Sequence, residues 1–458
     1  MPSASSVGSD SGHRVPSSLW RDADFRRLWV GQTASQLGEH ASLVVLPLFA
    51  VLTLSASAGQ LGVLRAVGQA PVLLLSLFVG AWVDRWRTRT TMVLTDVGRA
   101  LALGAAAVAG LFGWLGLPGL LLLAFVTGAL SVFFDVAYQV SLVRLVERDQ
   151  LVQGNSALEG SRSAAQIGGP ALGGALVSLL SMPVAAVSSA LFFALSFLSI
   201  RQIRRSESIP ERADHRPRVW RRIHEGLRFV AGNTALRTVC LAAAAFQFSF
   251  AAMMTGYLLF LPRELHLSGT ATGLALAATG PGALLGSMLA ARLPNRFGYG
   301  PVLVSAAVLG DGVFLCVPAL RGSSAMTIPV LLAINFVFGI FSQLVNVTIM
   351  AVRQASTPDW IQGRAAATIT FVGMGMAPIG SLIGGLLAEQ WGLRTSLLVT
   401  AACMMLSPVV MALSSLARLG RVLPSSRDAP LKAAHPKAHV LARRDTDTDH
   451  DRSAETHT

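Results

Sequence analysis

Long apolar runs alternate with short polar joints along most of this chain. Twelve runs are close to the roughly 20 residues that a helix needs to cross a bilayer, and they cover 29–54, 60–83, 92–112, 120–140, 163–180, 182–200, 236–261, 271–291, 302–320, 326–350, 366–387 and 395–417. No charged residue occurs in 100–134 or 163–200, whereas a helix on the surface of a soluble protein keeps one polar face. The pattern predicts an all-α integral membrane protein with twelve transmembrane helices.

Composition and charge support a membrane as the solvent. The 458 residues are 52% hydrophobic and 13% charged, which is more apolar surface than a soluble core of this size buries. The net charge is +13, and alternate joints carry its basic residues: Arg26, Arg27, Arg85, Arg87, Arg89, Arg144, Arg148, Arg162, Arg292, Arg296, Arg353 and Arg364. Because basic loops stay on the cytoplasmic side, we expect both termini in the cytoplasm and the chain in the cell inner (plasma) membrane. The basic residues form no continuous patch, so nucleic acid is not an expected partner.

The polar segments divide the chain into five parts. Residues 1–24 and 419–458 are polar and are expected to be disordered cytoplasmic ends. Residues 25–200 and 231–418 each hold six apolar runs and are expected to form two six-helix bundles. Between them, residues 201–230 form a basic, proline-containing linker, which ends in a predicted amphipathic helix along the inner membrane surface.

Three segments of the first half recur, in order, in the second half. VDRWRTRTTMVL from Val83 matches PNRFGYGPVLV from Pro294, and VRLVERDQLVQGNSA from Val143 parallels VRQASTPDWIQGRAA from Val352. GPALGGAL from Gly169 has a looser echo in APIGSLIGGLL from Ala377. The recurrence predicts two parallel, pseudo-symmetric copies of a six-helix unit, an arrangement that places a substrate site between the halves near mid-membrane.

The stretch GAWVDRWRTR between spans two and three resembles the signature of the major facilitator superfamily. Gly80, Asp84 and Arg85 match it, Arg89 matches a later basic position, and Arg87 replaces a glycine. The resemblance implies two six-helix bundles and a gating role for this loop. A carboxylate there can bind the amides at the positive N-terminus of a neighbouring helix. The alternative is that the charges of this loop only set the orientation of the chain in the membrane. That role accounts well for Arg87 and Arg89.

A second motif lies in span five. GGPALGG, with Gly168, Gly169, Pro170, Gly173 and Gly174, resembles the core of a motif of proton-coupled exporters in the superfamily, without its upstream glycines. Proline bends a helix because it lacks a backbone donor, and glycines let backbones approach closely. The motif therefore predicts a pivot and a seal in an antiporter, with plain helix packing as the alternative.

Three further segments, FRRLWVGQTASQLGEHASLVVLPL, FFDVAYQVSLVRLV and IHEGLRFVAGNTALR, are similar to the twelve-helix branch that holds macrolide efflux proteins and the enterobactin exporter. That resemblance implies proton-coupled efflux of an amphipathic small molecule, such as an antibiotic, drug or siderophore, by alternating access. The expected partners are this substrate, protons and membrane lipids. We expect a monomer without enzymatic activity, cofactor or metal. A proton-coupled importer of a small organic solute and a lipid flippase are the alternatives.

Ionisable residues within the spans are candidates for chemistry, because a charge at mid-bilayer costs about 2.5 kcal/mol or more unless it faces a cavity or a partner. Glu39 is the leading proton carrier, since burial favours the neutral carboxyl and lets a proton compete with a cationic substrate; a static structural acid is the alternative. Asp135 is the second candidate for proton coupling; it either lines the inner half of the pathway or pairs structurally with an arginine. Asp96 and Arg99, three residues apart, predict a local ion pair. The candidate cavity residues are Tyr138, Gln139, Asp311, Gln343 and Asn346.

Overall fold

The computed structural model describes residues 19–83, 86–146, 150–179, 182–205, 219–322, 326–358 and 361–421. Within these ranges every regular element is a helix. The two expected disordered ends lie largely outside the described residues, as does the middle of the linker. The gate candidates Asp84 and Arg85 also lie outside them.

Six long helices form the first half: α1 Ala23–Leu52, α2 Ala58–Val83, α3 Thr88–Leu111, α4 Leu117–Leu145, α5 Leu151–Leu179 and α6 Met182–Arg201. Local signals explain several of their ends. Asp22 caps α1, because its carboxylate accepts the amide of Asp24 at 2.8 Å. Pro118 lies in the first turn of α4, where a missing N–H costs no helical hydrogen bond.

The second half repeats this plan after a short connecting helix, α7 Val219–Gly232. The elements of the second half are α8 Thr234–Arg263, α9 Gly269–Ala277, α10 Thr279–Ala290, α11 Leu293–Phe297, α12 Tyr299–Gly312 with a 3₁₀ turn over Val313–Ala319, α13 Thr327–Ala355, α14 Gln362–Trp391, α15 Leu393–Met404 and α16 Leu406–Ala412.

Two spans of the second half are each split into two helices near a proline, which has no N–H to donate to the carbonyl four residues earlier. α9 ends four residues before Pro281, and α15 ends four residues before Pro408.

The structure confirms the fold of twelve membrane helices in two six-helix bundles. Eleven helices of the described residues are long and apolar enough to cross a membrane. The twelfth, α5, is 29 residues long but rich in glycine, serine and polar side chains, which lowers its hydropathy. It begins at Leu151, twelve residues before the apolar run at 163–180 that predicts it, so Arg162 lies inside the helix rather than in a joint.

The two halves meet along α2 with α14 and along α5 with α9. We call the end of the bundle at which α6 ends, at Arg201, the linker end, and the other the far end. At the far end the Arg263 guanidinium donates to the carbonyl of Ala56 at 2.6 Å. Nearer the middle of the bundle, Gln69 of α2 donates to the Ser381 hydroxyl of α14 at 3.3 Å. These contacts join the two halves.

Candidate functional site: a charge network and a polar cavity

A fully buried arginine lies at the centre of the first bundle. Arg99 lies on α3, and its Nη2 lies 2.5 Å from Oδ1 of Asp96, one turn earlier. The rings of Phe134 and Phe193 flank the guanidinium, with centroids 4.6 and 4.4 Å from Cζ. The predicted ion pair is thus confirmed. Arg99 begins the fourth turn of α3, so the pair lies well inside the bundle and away from the end of the helix.

Hydroxyl groups satisfy most of the remaining hydrogen-bonding capacity of this pair. Arg99 donates to the hydroxyl oxygens of Ser35 at 2.8 Å and Ser131 at 3.1 Å. Ser35 donates in turn to Asp96 at 3.1 Å, and Ser196 donates to the second carboxylate oxygen. A buried ion pair is tolerated when further hydrogen bonds complete it, and three other helices, α1, α4 and α6, supply them here.

Glu39 on α1 faces the same guanidinium from the other side. Its Oε2 lies 3.5 Å from Nη1 of Arg99, and its side chain is 24% exposed. This oxygen is buried and accepts no hydrogen bond from the described residues. One guanidinium therefore serves two carboxylates, and it holds Asp96 more closely than Glu39.

Asp135 on α4 adds a third carboxylate beside this pair. Its Oδ1 accepts a hydrogen bond from Nε2 of Gln36 at 3.1 Å. The partly exposed guanidinium of Arg162 acts electrostatically on both Glu39 and Asp135. The two predicted proton-coupling residues thus lie within electrostatic range of each other and of Arg99 and Arg162.

Two further predicted residues lie on α4 close to Asp135 in the chain. Tyr138 is 6% exposed and packs in an apolar cluster, with its ring centroid 6.1 Å from that of Phe134. Gln139 is exposed. Their roles in a substrate pathway stay predictions.

The second bundle encloses a cavity of about 350 Å³. Asp311 of α12 lines it together with Gln343 and Asn346 of α13, so the structure brings together the three candidates of this half. Asp311 is only 5% exposed. No described residue hydrogen-bonds to its carboxylate or pairs with it, which leaves a buried acid facing the cavity.

Comparison with known proteins agrees with this architecture. A family profile described as a transmembrane secretion effector matches residues 16–442, which is nearly the whole chain. The chain is a major facilitator transporter.

The curated relatives of this transporter include multidrug efflux pumps. It is 26% identical over 389 residues to the multidrug efflux pump Tap of Mycolicibacterium fortuitum, covering 81% of this chain and 91% of that protein. It is 27% identical over 388 residues to the Tap pump of Mycobacterium tuberculosis strain H37Rv, covering 80% and 87%.

Solved structures share the fold at low sequence identity. A bacterial homologue of the lysosomal transporter Spinster, inward-facing and unoccupied, has a TM-score of 0.68 and 14% identity, with 88% of this chain and 98% of that chain covered. A bacterial homologue of the iron transporter ferroportin, in an inward-facing state, has a TM-score of 0.68 and 18% identity, with 86% and 98% covered.

The glycine motif of α5 packs the transporter tightly at the far end. A Cβ at Gly173 would lie 2.7 Å from the carbonyl oxygen of Ala41 on α1, and one at Gly174 would lie 2.6 Å from Cα of Gly273 on α9. Gly169 also packs against α1, whereas Gly168 faces open space. Pro170 lies inside α5, and its carbonyl contacts α9.

The second repeat makes the matching contact. A Cβ at Gly385 of α14 would lie 2.8 Å from Cα of Gly62 on α2. The glycine pairs that echo each other in sequence, Gly173 with Gly174 and Gly384 with Gly385, therefore take equivalent places. In each pair the first glycine packs within its own half and the second packs against the other half.

The described part of the loop signature connects helices of the first half. Gly80 lies in the last turn of α2. Arg89, in the first turn of α3, donates to the carbonyl of Arg201 at the end of α6. The gating role of this loop stays a prediction, because Asp84 and Arg85 lie outside the described residues.

Sequence reasoning missed the shared environment of Glu39 and Arg99. It also missed Gln36, Ser131 and Arg162. One signal was available, because Gln36 and Ser131 recur as Gln247 and Ser342 at a single offset along the chain. A polar residue that recurs in both halves of an apolar repeat points to a site inside each bundle.

Proposed function

We propose that this transporter exports an amphipathic small molecule, such as an antibiotic, drug or siderophore, in exchange for protons. Its relatives include the multidrug efflux pump Tap, which supports export as the direction of transport. The glycine motif of α5 supports antiport. The proposal places both termini in the cytoplasm, as the basic residues at the linker end favour.

The proposal of proton coupling rests on one observation: the Arg99 guanidinium contacts two carboxylates at once. Its guanidinium lies 2.5 Å from Asp96 and 3.5 Å from Glu39. When Glu39 takes up a proton, Asp96 still neutralises Arg99, so no buried charge is left unpaired. Glu39 can therefore change its protonation state at a smaller cost than a carboxylate that is the sole partner of a buried arginine.

The placement of this network supports alternating access as the mechanism that we propose. Glu39 and Asp135 face Arg162, which is partly exposed, so protons can reach them from the pathway between the halves. Because the glycine contacts join the far end, we infer that the pathway opens toward the linker end. We propose that this is the inward-facing state, and that the Asp84 loop closes the linker end when the far end opens.

Proton movement driven by substrate is the direct test. Everted vesicles that hold the protein are acid-loaded, and a pH-sensitive dye reports their internal pH while lipophilic cations, macrolides and siderophores are added in turn. A transported compound should dissipate the proton gradient in the wild type and fail to do so in Glu39→Gln, because glutamine keeps the shape but cannot titrate.

Glu264→Gln is the matched control. Glu264 pairs with Arg394 at 3.3 Å in a partly exposed bridge at the far end, so its loss should leave coupling intact. Proton-coupled transport in Glu39→Gln equal to that of the control would refute the assignment of Glu39. Uptake of the compound into intact cells would show import instead of export.

A further inference from the structure

The two halves share a register that relates residues of one to residues of the other. The helices of the second half begin at nearly one offset from their counterparts, as for α1 with α8, α3 with α12 and α5 with α14. Close contacts obey the same register. Gly128 of α4 packs on the carbonyl of Gly68, and Gly339 of α13 packs on that of Thr279. Residues of the two halves can therefore be paired one to one.

This register places the cavity of the second half where the first half has its charge network. The pairs are Gln36 with Gln247, Asp96 with Ala307, Arg99 with Gly310, Ser131 with Ser342, Asp135 with Asn346 and Ser196 with Ser407. All six second-half residues line the cavity. The hydroxyl and amide positions are kept, while the buried ion pair is replaced by glycine and alanine.

The loss of these two side chains explains why the second half holds a cavity. In the first half the Arg99 side chain fills the centre of the bundle, between Ser35 and Ser131. In the second half Gly310 packs closely on α13, where a Cβ would lie 3.0 Å from Cβ of Phe341, and no long side chain from Gly310 or Ala307 enters the neighbouring space of about 350 Å³. This volume lies within the range of pockets that hold drug-sized ligands.

The cavity also has an acid that the first half lacks. Asp311 follows Gly310 on α12, is 5% exposed, and has no hydrogen-bond or ion-pair partner among the described residues. A buried carboxylate without a partner is costly, and a cationic group in the cavity would remove that cost. Ser342 and Asn346 supply further acceptor oxygens in the same cavity.

We propose that this cavity binds the cationic group of the transported compound, a protonated amine or a guanidinium, in the place that Arg99 fills in the first half. Asp311 neutralises the charge, while Ser342, Asn346 and Ser407 take the positions of the polar partners of Arg99. The proposal rests on the proposed function in that it takes the ligand to be the transported compound.

The other charged residue of the cavity lies far from this position. Arg353 of α13 also lines the cavity. Gly310 packs against Phe341 and Ser342, and Arg353 lies eleven residues after Ser342, about 16 Å along the helix. At such a distance its repulsion of a bound cation is weak beside the direct contact with Asp311. Arg353 is placed to donate to an oxygen at the other end of the ligand.

Equilibrium binding tests this proposal without transport. The probe is dansylcadaverine, a fluorescent compound with one protonated amine, and its N-acetyl derivative is the neutral control of nearly the same shape. Both are titrated against the purified full chain in uncharged detergent, and dansyl fluorescence reports binding. The amine should bind at least about tenfold more tightly than the acetylated probe, as expected for a hydrogen-bonded charge pair.

Two variants locate the site. Asp311→Asn should remove the preference for the amine and leave weak binding of the acetylated probe unchanged, whereas Asp311→Glu should keep the preference. An unchanged affinity of Asp311→Asn for the amine, or equal affinities of the wild type for both probes, would overturn the proposal. Because no gradient is present, a failure of proton-coupled export leaves this result unaffected.

Discussion

Asp135 and Asn346 occupy equivalent positions on the fourth helices of the two halves. Each has a glutamine at the equivalent place on the first helix, Gln36 or Gln247. Asp135 accepts a hydrogen bond from Gln36 at 3.1 Å, and Asn346 lines the polar cavity. The position can carry a proton only in the first half, because an amide does not titrate. The two halves thus present chemically different versions of one site.

Exchanging these two residues should separate coupling from binding. Asp135→Asn should reduce substrate-driven proton movement in everted vesicles while preserving dansylcadaverine binding, because it changes the first half alone. Asn346→Asp should leave proton movement intact and alter amine binding, because it adds an acid to the cavity. If Asp135→Asn retained wild-type proton movement, Asp135 would have no part in coupling.

Removing the central guanidinium should destabilise the first bundle strongly. Arg99→Gln leaves Asp96 and Glu39 without their counter-ion, and breaking a buried pair in this way costs about 3–5 kcal/mol. Thermal unfolding in detergent should show the loss. The double variant Arg99→Gln/Asp96→Asn should recover part of it, since it also removes the more deeply buried carboxylate. No recovery would mean that packing against Phe134 and Phe193 dominates.

Neutralising Asp96 should impair coupling although Asp96 lies away from the pathway. In Asp96→Asn, Glu39 becomes the only carboxylate within 4 Å of Arg99 among the described residues, so its charged form is favoured. Proton movement driven by substrate should therefore fall at neutral pH and recover as the pH is lowered, where Glu39 can again be protonated. A pH profile equal to that of the wild type would show that Asp96 does not tune Glu39.

The far end should open when a side chain is placed between its glycines. Gly174→Val should separate α5 from α9, because even a Cβ there would lie 2.6 Å from Cα of Gly273. Gly168→Val, on the same helix but facing open space, is the matched control. Spin labels at Gln60 and Trp391, on the adjoining ends of α2 and α14, should report a longer distance only in Gly174→Val. Equal distances in the two variants would contradict a seal at this position.

The stability of the protein should be more sensitive to crowding where the connecting helix α7 packs on α14 than to loss of the ion pair between these two helices. A Cβ at Gly226 would lie 2.6 Å from Oγ1 of Thr368 on α14, so Gly226→Val should cost about 1–3 kcal/mol through overpacking. Glu225 lies 2.5 Å from Arg364, but both side chains are more than one-third exposed, and exposed pairs contribute at most about 1 kcal/mol. Thermal unfolding of Gly226→Val and Glu225→Gln compares the two; a larger loss in Glu225→Gln would reverse this ranking.

Sequence patterns predicted the spans and the repeat because both depend on local composition. The length of the apolar runs follows from the thickness of the bilayer. The run that predicts α5 is shorter than the helix, because the polar residues Asn155, Glu159 and Arg162 resemble loop residues when only the sequence is known. The Asp96–Arg99 pair was predictable since it lies within one helix. The contact between Glu39 and Arg99 was not, because it joins α1 to α3 and depends on how those helices pack.

The sequence by itself determined the membrane class, the twelve helices and the division into two related halves, since hydropathy and repetition are properties of the chain alone. Only the tertiary structure decided that one guanidinium serves Glu39 and Asp96, and that Gly310 and Ala307 leave a cavity around Asp311. Both outcomes depend on which faces of separate helices meet. Bilayer burial constrains each helix singly, whereas close packing between helices decides which polar groups find partners and which remain available to a ligand.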